Sequence, residues 1–409
     1  MRLLPCSCLA VSASLIFVAP AIGQELTEEQ AVVRFIEQNP EVLALRHRVS
    51  EQAERNRART LMANPMFWYT QENTAGARDD FLMFRQPLPI TGRLGLYENA
   101  NRNANAAVEA TVEYEIRLLQ TDVRSTFAAL LRAQRRQDAL ETALQEIDAT
   151  VSVLRARERE GEGSRFDRLR GEREFEELRA TLAAETIARA YAQSRLAGLI
   201  GMTGSAEALV AIPVPERDRF LPPVREVLDL ALTSRDDLRA GSSRLASVDA
   251  EAEAGQRLRF PEPSVVGGMK RTRIGGVADT GYVFGVELSI PVTNRGQAER
   301  AQFAVTADRL SADQETLRLR IERDVRAAYR VATLTRQQAR AYVEGAASSG
   351  EELAHIARLA YEEGEQGILE LIDAHRVALA ARLRSIDLTA NARQAEIGLS
   401  RVIGREVFR

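Results

Sequence analysis

Histidine and cysteine, which often perform catalysis or bind metals, are scarce in this chain. Three histidines and two cysteines are present, and the chain contains no nucleophile-elbow, Walker or zinc-protease motif. His355 and His375 stand roughly ten residues before and after a glycine-bearing turn, so antiparallel helices could bring them level. A metal-binding or pH-sensing pair is one interpretation, and two exposed histidines are the other; His47 stands alone. We therefore predict a protein that is not an enzyme and needs no cofactor or resident metal.

The first 23 residues have the parts of a secretory signal peptide. Arg2 supplies the positive start, residues 9–18 are apolar, and small residues at Ala21 and Gly23 favour cleavage before Gln24. Both cysteines, Cys6 and Cys8, lie inside this segment, so we expect a mature chain without cysteine or disulfide. No later apolar run approaches the ~20 residues of a spanning helix. A membrane segment of this protein would therefore consist of strands.

Composition excludes nucleic acid as a partner. The 55 basic and 58 acidic residues leave a net charge of −3, and no stretch concentrates positive charge for phosphate contacts. The chain is long enough for two or three globular domains, or for one elongated architecture.

A long heptad pattern dominates residues 93–160. Spacings of four and three place two sets of positions on one stripe of a helix, which is typical of coiled-coil packing. No proline interrupts the pattern, and the helix would be roughly 100 Å long. The two sets are Val112, Leu119, Thr126, Ala133, Leu140, Ile147 and Leu154, and Ile116, Val123, Leu130, Gln137, Leu144 and Val151. A cytosolic rod is the simplest alternative for such a pattern.

The chain consists of two copies of one unit. Asn64-Pro65 returns as Phe260-Pro261, residues 89–93 return as 291–295, and residues 161–169 align with 364–372, each about 200 residues later.

Each copy is predicted to contain a helix, a β-hairpin, a long helix, a tight turn at the tip and a returning helix. After the signal peptide (1–23), the first repeat covers 24–201 and the second 224–409, joined by a proline-rich linker at 202–223. The predicted elements of the first repeat are a helix at 40–62, a hairpin at about 66–88, a long helix at 93–160, a tip at 161–164 and a return helix at 165–200. Those of the second repeat are a helix at 235–259, a hairpin at about 264–290, a long helix at 295–363, a tip at 364–367 and a return helix at 368–403.

The strand at 280–290 has one continuously apolar face. Alternation places one apolar set on that face, namely Tyr282, Phe284, Val286, Leu288 and Ile290. A tilted membrane strand requires about 9–11 residues of such alternation. A soluble hairpin that buries this face on a core is the alternative. Four strands cannot close a barrel, so a membrane location would require several chains, and three copies would supply twelve strands.

The order of these features resembles the TolC-like outer-membrane efflux proteins over essentially all of the mature chain. The resemblance is carried by Asn39-Pro40-Glu41, Asn64-Pro65, Gln86-Pro87-Leu88 with Gly92-Arg93, and the run that begins at Gly364, within the two-fold repeat. The first and third of these elements are most similar to the heavy-metal (CzcC-type) branch.

The resemblance implies a mainly α fold with a membrane β-barrel. Three chains would form a trimeric channel-tunnel, with a shared 12-stranded barrel in the Gram-negative outer membrane and a long α-helical barrel in the periplasm. The implied function is a passive exit duct for metal ions or drugs in a tripartite efflux pump. The chain would form a homotrimer in contact with outer-membrane lipid. Its protein partners would be a periplasmic adaptor (membrane fusion) protein and an inner-membrane transporter of the RND type. A type I protein secretion duct and a soluble periplasmic coiled-coil adaptor or scaffold are the alternatives.

The resemblance also implies two groups of functional residues. Glu370 and Asp373 match the acidic pair that rings the periplasmic entrance; in the first repeat Asp167 matches, and Arg170 replaces the second acid. A solvated helix face is the alternative for these charges. The tips would contact the adaptor through Gly161, Gly163, Ser164, Arg165, Gly364, Gly367 and Ile368, unless they only reverse the chain.

Overall fold

The computed structural model describes residues 24–202, 204–213 and 220–407. The predicted signal peptide with Cys6 and Cys8, and linker residues 203 and 214–219, lie outside these ranges. The helices of the described residues are α1 (Glu28–Gln38), α2 (Pro40–Ala58), α3 (Arg93–Glu160), α4 (Arg165–Leu199), α5 (Val224–Ser234), α6 (Asp236–Arg257), α7 (Gln297–Tyr342), α8 (Ser348–Glu362) and α9 (Ile368–Ile403). The strands are β1 (Gln24–Leu26), β2 (Met66–Thr74), β3 (Ala77–Pro87), β4 (Leu209–Ala211), β5 (Pro263–Ile274) and β6 (Val277–Leu288).

The heptad stripe of α3 forms the centre of the helical packing. Every one of the thirteen heptad positions predicted from the sequence is buried or half-buried. Their neighbours come from both repeats, because α3 packs against α2 and α4 of the first repeat and against α6 and α9 of the second. Glycines in the left-handed conformation bound this helix, Gly92 with φ 75° and Gly161 with φ 77°. The prediction of one uninterrupted coiled-coil helix over this stretch is confirmed.

Both repeats begin with a helix pair, of which only the second helix, α2 or α6, was predicted from the sequence. Asn39 ends α1 and caps α2, because its Oδ1 accepts the N–H of Glu41 at 2.7 Å. Its Nδ2 donates to the carbonyl of Leu199 at 2.7 Å, which fixes the start of α2 to the end of α4. Arg235 occupies the equivalent position between α5 and α6, and its guanidinium donates to the carbonyl of Val402 at the end of α9.

The strands of the two repeats form one antiparallel sheet in the order β2-β3-β5-β6. Each hairpin turns through two residues with positive φ, Ala75 and Gly76 in the first and Gly275 and Gly276 in the second. Such turns match the right-handed twist of the paired strands. The repeats join where β3 pairs with β5, so neither repeat has a sheet of its own.

The second long helix is not continuous, contrary to the prediction of one helix over 295–363. It is divided into α7 and α8 by a π-helical segment at Val343–Ala347. The interruption falls in a stretch that contains Gly345, Ser349 and Gly350. Glycine and serine are weak helix formers, so this stretch favours a local change of helical pitch.

The segment between the repeats contributes a strand that the sequence analysis did not predict. β4 pairs in parallel with β1, with Gln24 opposite Leu209 and Leu26 opposite Ala211. The amide of Ala211 also donates to Oε1 of Gln134 on α3 at 2.9 Å. Leu26 and Leu209 are fully buried beside Phe35 in the core of the first repeat. The start of the described chain is therefore held against the inter-repeat segment.

None of the helices in the described ranges is both long enough and apolar enough to cross a membrane.

Candidate functional site

The sheet presents an apolar face that none of the described residues covers. Along β6 the alternate side chains Tyr282, Phe284 and Val286 are 74%, 82% and 73% exposed. Leu288 ends the strand and is half exposed, and Ile290 lies two residues beyond it, still exposed. Large apolar side chains at this level of exposure indicate a surface that meets lipid or another protein.

The strand register extends this face across all four strands. One row contains Tyr69, Leu82, Met269 and Tyr282, and the next contains Phe67, Phe84, Gly267 and Phe284. A Cβ on Gly267 would lie 2.6 Å from the Phe84 ring, so glycine is required there for the ring to lie flat across β5. The apolar band is therefore a packed surface of the whole sheet.

The opposite face of the sheet, which we call the polar face, carries ion pairs beside apolar side chains that include Trp68, Phe81 and Met83. Arg85 binds both carboxylate oxygens of Glu287 at 2.8 Å, which joins β3 to β6 across β5. Nearer the hairpin turns, Lys270 pairs with Asp79 at 2.9 Å. An apolar face opposed to a charged face is the pattern of a strand set between lipid and water.

The sheet has two open edges. Among the described residues, β2 and β6 each pair with one strand only, so the outer backbone groups of both strands have no strand partner. Unpaired edges are costly in lipid and are a template for pairing with another chain in water.

The two tips at the far end of the helices share one geometry. Gly161 and Gly364 have φ values of 77° and 76°, and each is followed by residues whose amides bond back to carbonyls of the preceding helix. Ser164 then caps α4, with its Oγ accepting the N–H of Phe166 at 3.0 Å, whereas Gly367 precedes α9 without a side-chain cap. A Cβ on Gly163 would lie 2.8 Å from Cβ of Arg157, so this position also requires glycine.

The tips of the two repeats are attached to each other. The guanidinium of Arg157 lies 5.3 Å from the ring centroid of Tyr361, and its Nη1 donates to the Tyr361 hydroxyl at 3.3 Å. Beneath this contact, Leu154 of α3 packs with the first turns of α9. Ile368, predicted as an adaptor-contacting residue, belongs to this cluster and is only 5% exposed. Of the other six predicted tip residues, five are exposed and Gly163 is half-buried.

The predicted entrance charges lie on the outer faces of α9 and α4. Glu370 and Asp373 are both exposed, and they occupy the side of α9 opposite the buried Leu371 and Ile372. In the first repeat, Asp167 is half-buried and Arg170 is exposed. No ion pair joins Asp167 to Arg170 in the described part of the chain.

A charged network at the first tip escaped the sequence analysis. Arg168 pairs with Glu158 across the turn and with Glu172 at 2.6 Å, and Arg155 reaches Glu172 at 2.9 Å. The hydrogen bond from Arg155, with the charge of Arg168, lowers the pKa of the Glu172 carboxyl below its ordinary value. The pair of Arg168 and Glu172 could have been predicted from its i, i+4 spacing. The pairing of Arg168 with Glu158 across the turn is evident only in the folded structure.

The two histidines near the second tip do not form a pair. His375 is mostly buried, with Nδ1 3.3 Å from a carboxylate oxygen of Glu146 on α3. His355 is exposed and lies 3.1 Å from the guanidinium of Arg358. Within the described ranges, no group of three or more histidine, cysteine, aspartate or glutamate side chains is placed to hold a metal ion.

Comparisons with known proteins find similarity in sequence and in fold. Residues 227–405 match the family model described as outer membrane efflux protein. The cobalt-zinc-cadmium resistance protein CzcC of Cupriavidus metallidurans is 24% identical over 329 residues, which cover 78% of this chain and 75% of the relative.

Solved structures match nearly the whole chain. A membrane protein from Pseudomonas aeruginosa has a TM-score of 0.73 at 19% identity, covering 92% of this chain and 93% of that one. CusC has a TM-score of 0.74 at 17% identity, covering 94% and 93%. The outer membrane protein VceC of Vibrio cholerae has a TM-score of 0.71 at 15% identity, covering 93% and 96%. The resemblance inferred from the sequence is confirmed: residues 227–405 match the outer membrane efflux family, and the chain has the fold of the TolC-like channels.

Proposed function

We propose that three copies of this chain form an exit duct across the outer membrane and the periplasm. The observation that carries the proposal is the sheet with one exposed apolar face and two open edges, set at one end of helices that extend about 100 Å. One chain cannot complete a wall in lipid, because the edge groups of β2 and β6 would remain without partners. Pairing β6 of one copy with β2 of the next satisfies these groups.

Ring closure requires β6 and β2 of neighbouring copies to run antiparallel, as every neighbouring pair in the sheet does. Three sheets of four strands give a barrel of twelve, an even number within the range of bacterial outer-membrane barrels. The helices below would then enclose a continuous conduit, with the tips at its periplasmic entrance. We place the adaptor contact at the exposed tip residues and an inner-membrane transporter beyond it.

Disulfide trapping tests this closure. Thr70→Cys on β2 is combined in turn with Gly281→Cys, Val283→Cys and Gly285→Cys on β6, because the strand register places all four positions on the polar face. We expect one of the three combinations to give a covalent trimer in isolated outer membranes upon oxidation. Each single cysteine variant is the control. Monomers in all three combinations, with the protein correctly folded, would contradict the shared barrel.

The cargo we propose is divalent metal cations, because the relative that covers three quarters of this chain is a cobalt-zinc-cadmium resistance protein. The lack of a three-ligand metal group among the described residues does not oppose this, since a wide duct need not bind what it conducts. Deletion of the gene should lower tolerance to cobalt, zinc or cadmium, and the wild-type chain should restore it. If the wild-type chain restored tolerance to drugs and not to metals, the proposed metal cargo would be wrong, and the proposed duct would be unaffected.

A further inference from the structure

A basic cleft lies between α3 and α9, beside the residues that follow α9. Its volume is about 340 Å³, within the range of ~300–1,000 Å³ for small-molecule pockets. Five arginines and a single carboxylate line it: Arg117, Arg124, Arg393, Arg401, Arg405 and Glu406. Arginine prevails where carboxylate or phosphate oxygens are bound, because its planar fork matches their geometry.

Most of these arginines are held from outside the cleft. Arg117 donates to Asp236 at 2.6 Å, Arg124 to Glu28 at 2.7 Å, and Arg401 to Asp122 at 2.8 Å. None of these three carboxylates lines the cleft. Each pair fixes a guanidinium in place but uses only part of its five N–H donors. The cleft therefore contains oriented donors with remaining capacity, which is the arrangement of a preformed anion site.

Two further groups add to this capacity. Arg405 has no hydrogen-bond or ion-pair partner among the described residues, and its side chain is exposed at the cleft. Tyr114 accepts a hydrogen bond from Arg235 at 3.0 Å, which leaves its own O–H available to donate. The cleft can thus offer a neutral donor beside its cationic donors.

We propose that this cleft binds a small, soluble, doubly charged oxyanion of the phosphate or dicarboxylate type. A lipid headgroup is excluded by position, since Tyr114 lies 21 residues from the strand end of α3, which corresponds to about 30 Å of helix. Glu406 bonds Arg124 at 3.1 Å within the cleft and competes with the ligand for the same donors. The site does not depend on the proposed transport function.

The test is calorimetry on the full-length processed protein in detergent, with inorganic phosphate and succinate titrated separately. Sodium chloride at matched ionic strength is the control for screening. Saturable binding of at least one dianion is expected. Arg405→Gln combined with Arg401→Gln should weaken binding at least tenfold, while Arg405→Lys, which retains charge without the fork, should weaken it less. Glu406→Gln should strengthen binding, because it removes the competing carboxylate.

Arg323→Gln is the matched control, since Arg323 is exposed and pairs with the neighbouring Asp324 on α7. This variant should leave the affinity unchanged. No saturable binding of either dianion, or equal loss in Arg323→Gln and in the double variant, overturns the proposal. Conductance of the same preparation in bilayers reports on the duct independently, so absence of anion binding by the wild-type protein, with normal conductance, contradicts the cleft alone.

Discussion

Two arginines share one carboxylate at the first tip, and this makes the tip sensitive to acid. Glu172 receives hydrogen bonds from Arg155 and Arg168, which come from opposite sides of the turn. Its pKa is lowered in the folded protein. A carboxyl of this kind stabilises the fold above its unfolded pKa of about 4.3, and the contribution is lost as the pH falls through the folded value.

Glu172→Gln should therefore lower the melting temperature at pH 6–7, and the difference from wild type should shrink as the pH falls below about 4. Thermal unfolding followed by circular dichroism over this pH range measures the effect. Glu176→Gln, which removes an exposed pair with Arg179, is the control for loss of surface charge. If the Glu172→Gln difference persisted at pH 3, the ionised carboxylate would not be its cause.

The entrance carboxylates give a second prediction at this scale. Glu370 and Asp373 are exposed on one side of α9, and in a trimer six such groups would repel each other around one aperture. Glu370→Ala with Asp373→Ala replaces long side chains by methyl groups and should widen the aperture, so we expect cells to become more permeable to large antibiotics and bilayer conductance to change. Asp308→Ala with Glu315→Ala, which removes two exposed acids of α7, is the control. Unchanged conductance in the entrance variant would remove these residues from the gate.

For single residues, the sequence predicted which positions are exposed better than it predicted which residues contact each other. The acids at Glu370 and Asp373 were identified by their place after the turn, and the structure puts them on an exposed face. The burial of Ile368 was missed, because it depends on Leu154 from the other repeat. The separation of His355 and His375 could not be predicted from the sequence either, since it depends on how far each helix is rotated about its axis.

The close packing of α3 and α4 depends on Gly171. A Cβ at this position would lie 3.0 Å from Leu154 and 3.1 Å from Val151, whereas a Cβ on Gly198 of the same helix meets nothing within 4 Å. Helix propensity favours alanine over glycine at both positions by about 1 kcal/mol. At Gly171 alone, overpacking opposes this gain in stability from alanine, and it costs about 1–3 kcal/mol.

Gly198→Ala should therefore raise the melting temperature, and Gly171→Ala should leave it unchanged or lower it. Comparing the two variants by thermal unfolding in one detergent separates packing from propensity, because both changes add the same methyl group. An equal rise in both would mean that α3 and α4 are not in tight contact at Gly171.

The helices and strands were predictable where a repeating apolar pattern or a helix-breaking residue marks them. The heptads of α3 extend without proline, so its length was evident from the sequence. The division of the second long helix was missed, although Gly345 and Gly350 were visible, because isolated glycines also occur in continuous helices. β4 was missed because three residues carry no period, and its pairing with β1 spans the whole first repeat.

At the scale of the whole molecule, the apolar face of the sheet is the feature that assigns the chain to a membrane. Phe284→Arg places a charge on this face, where arginine costs ~2–4 kcal/mol near the bilayer midplane. We expect markedly less heat-modifiable trimer in the outer membrane, measured by electrophoresis of unheated membrane samples. Gly285→Arg, on the polar face of the same strand, is the matched control and should assemble normally. Equal loss in both variants would indicate general misfolding of β6.

The two-fold repeat and its order of elements could be predicted from the sequence, and the solved structures that match the chain have the same fold. The relation between the repeats was not readable. Neither hairpin carries a signal that β3 pairs with β5, and nothing in the heptads shows that α3 packs against α6 and α9. Such contacts join residues far apart in the sequence, for example 119 positions for Arg117 and Asp236 and 269 for Ser125 and Gln394, so they follow from tertiary packing and not from local pattern.

The shared sheet makes the covalent connection between the halves dispensable once the chain has folded. A nick between Ala211 and Val224 would leave eleven residue pairs of β3 and β5 in register, together with the interface between α3 and α6. We expect the two fragments to stay together through purification and to separate only on denaturation. Split genes that encode the halves separately could then yield a working protein, whereas either half alone would expose an unfinished surface.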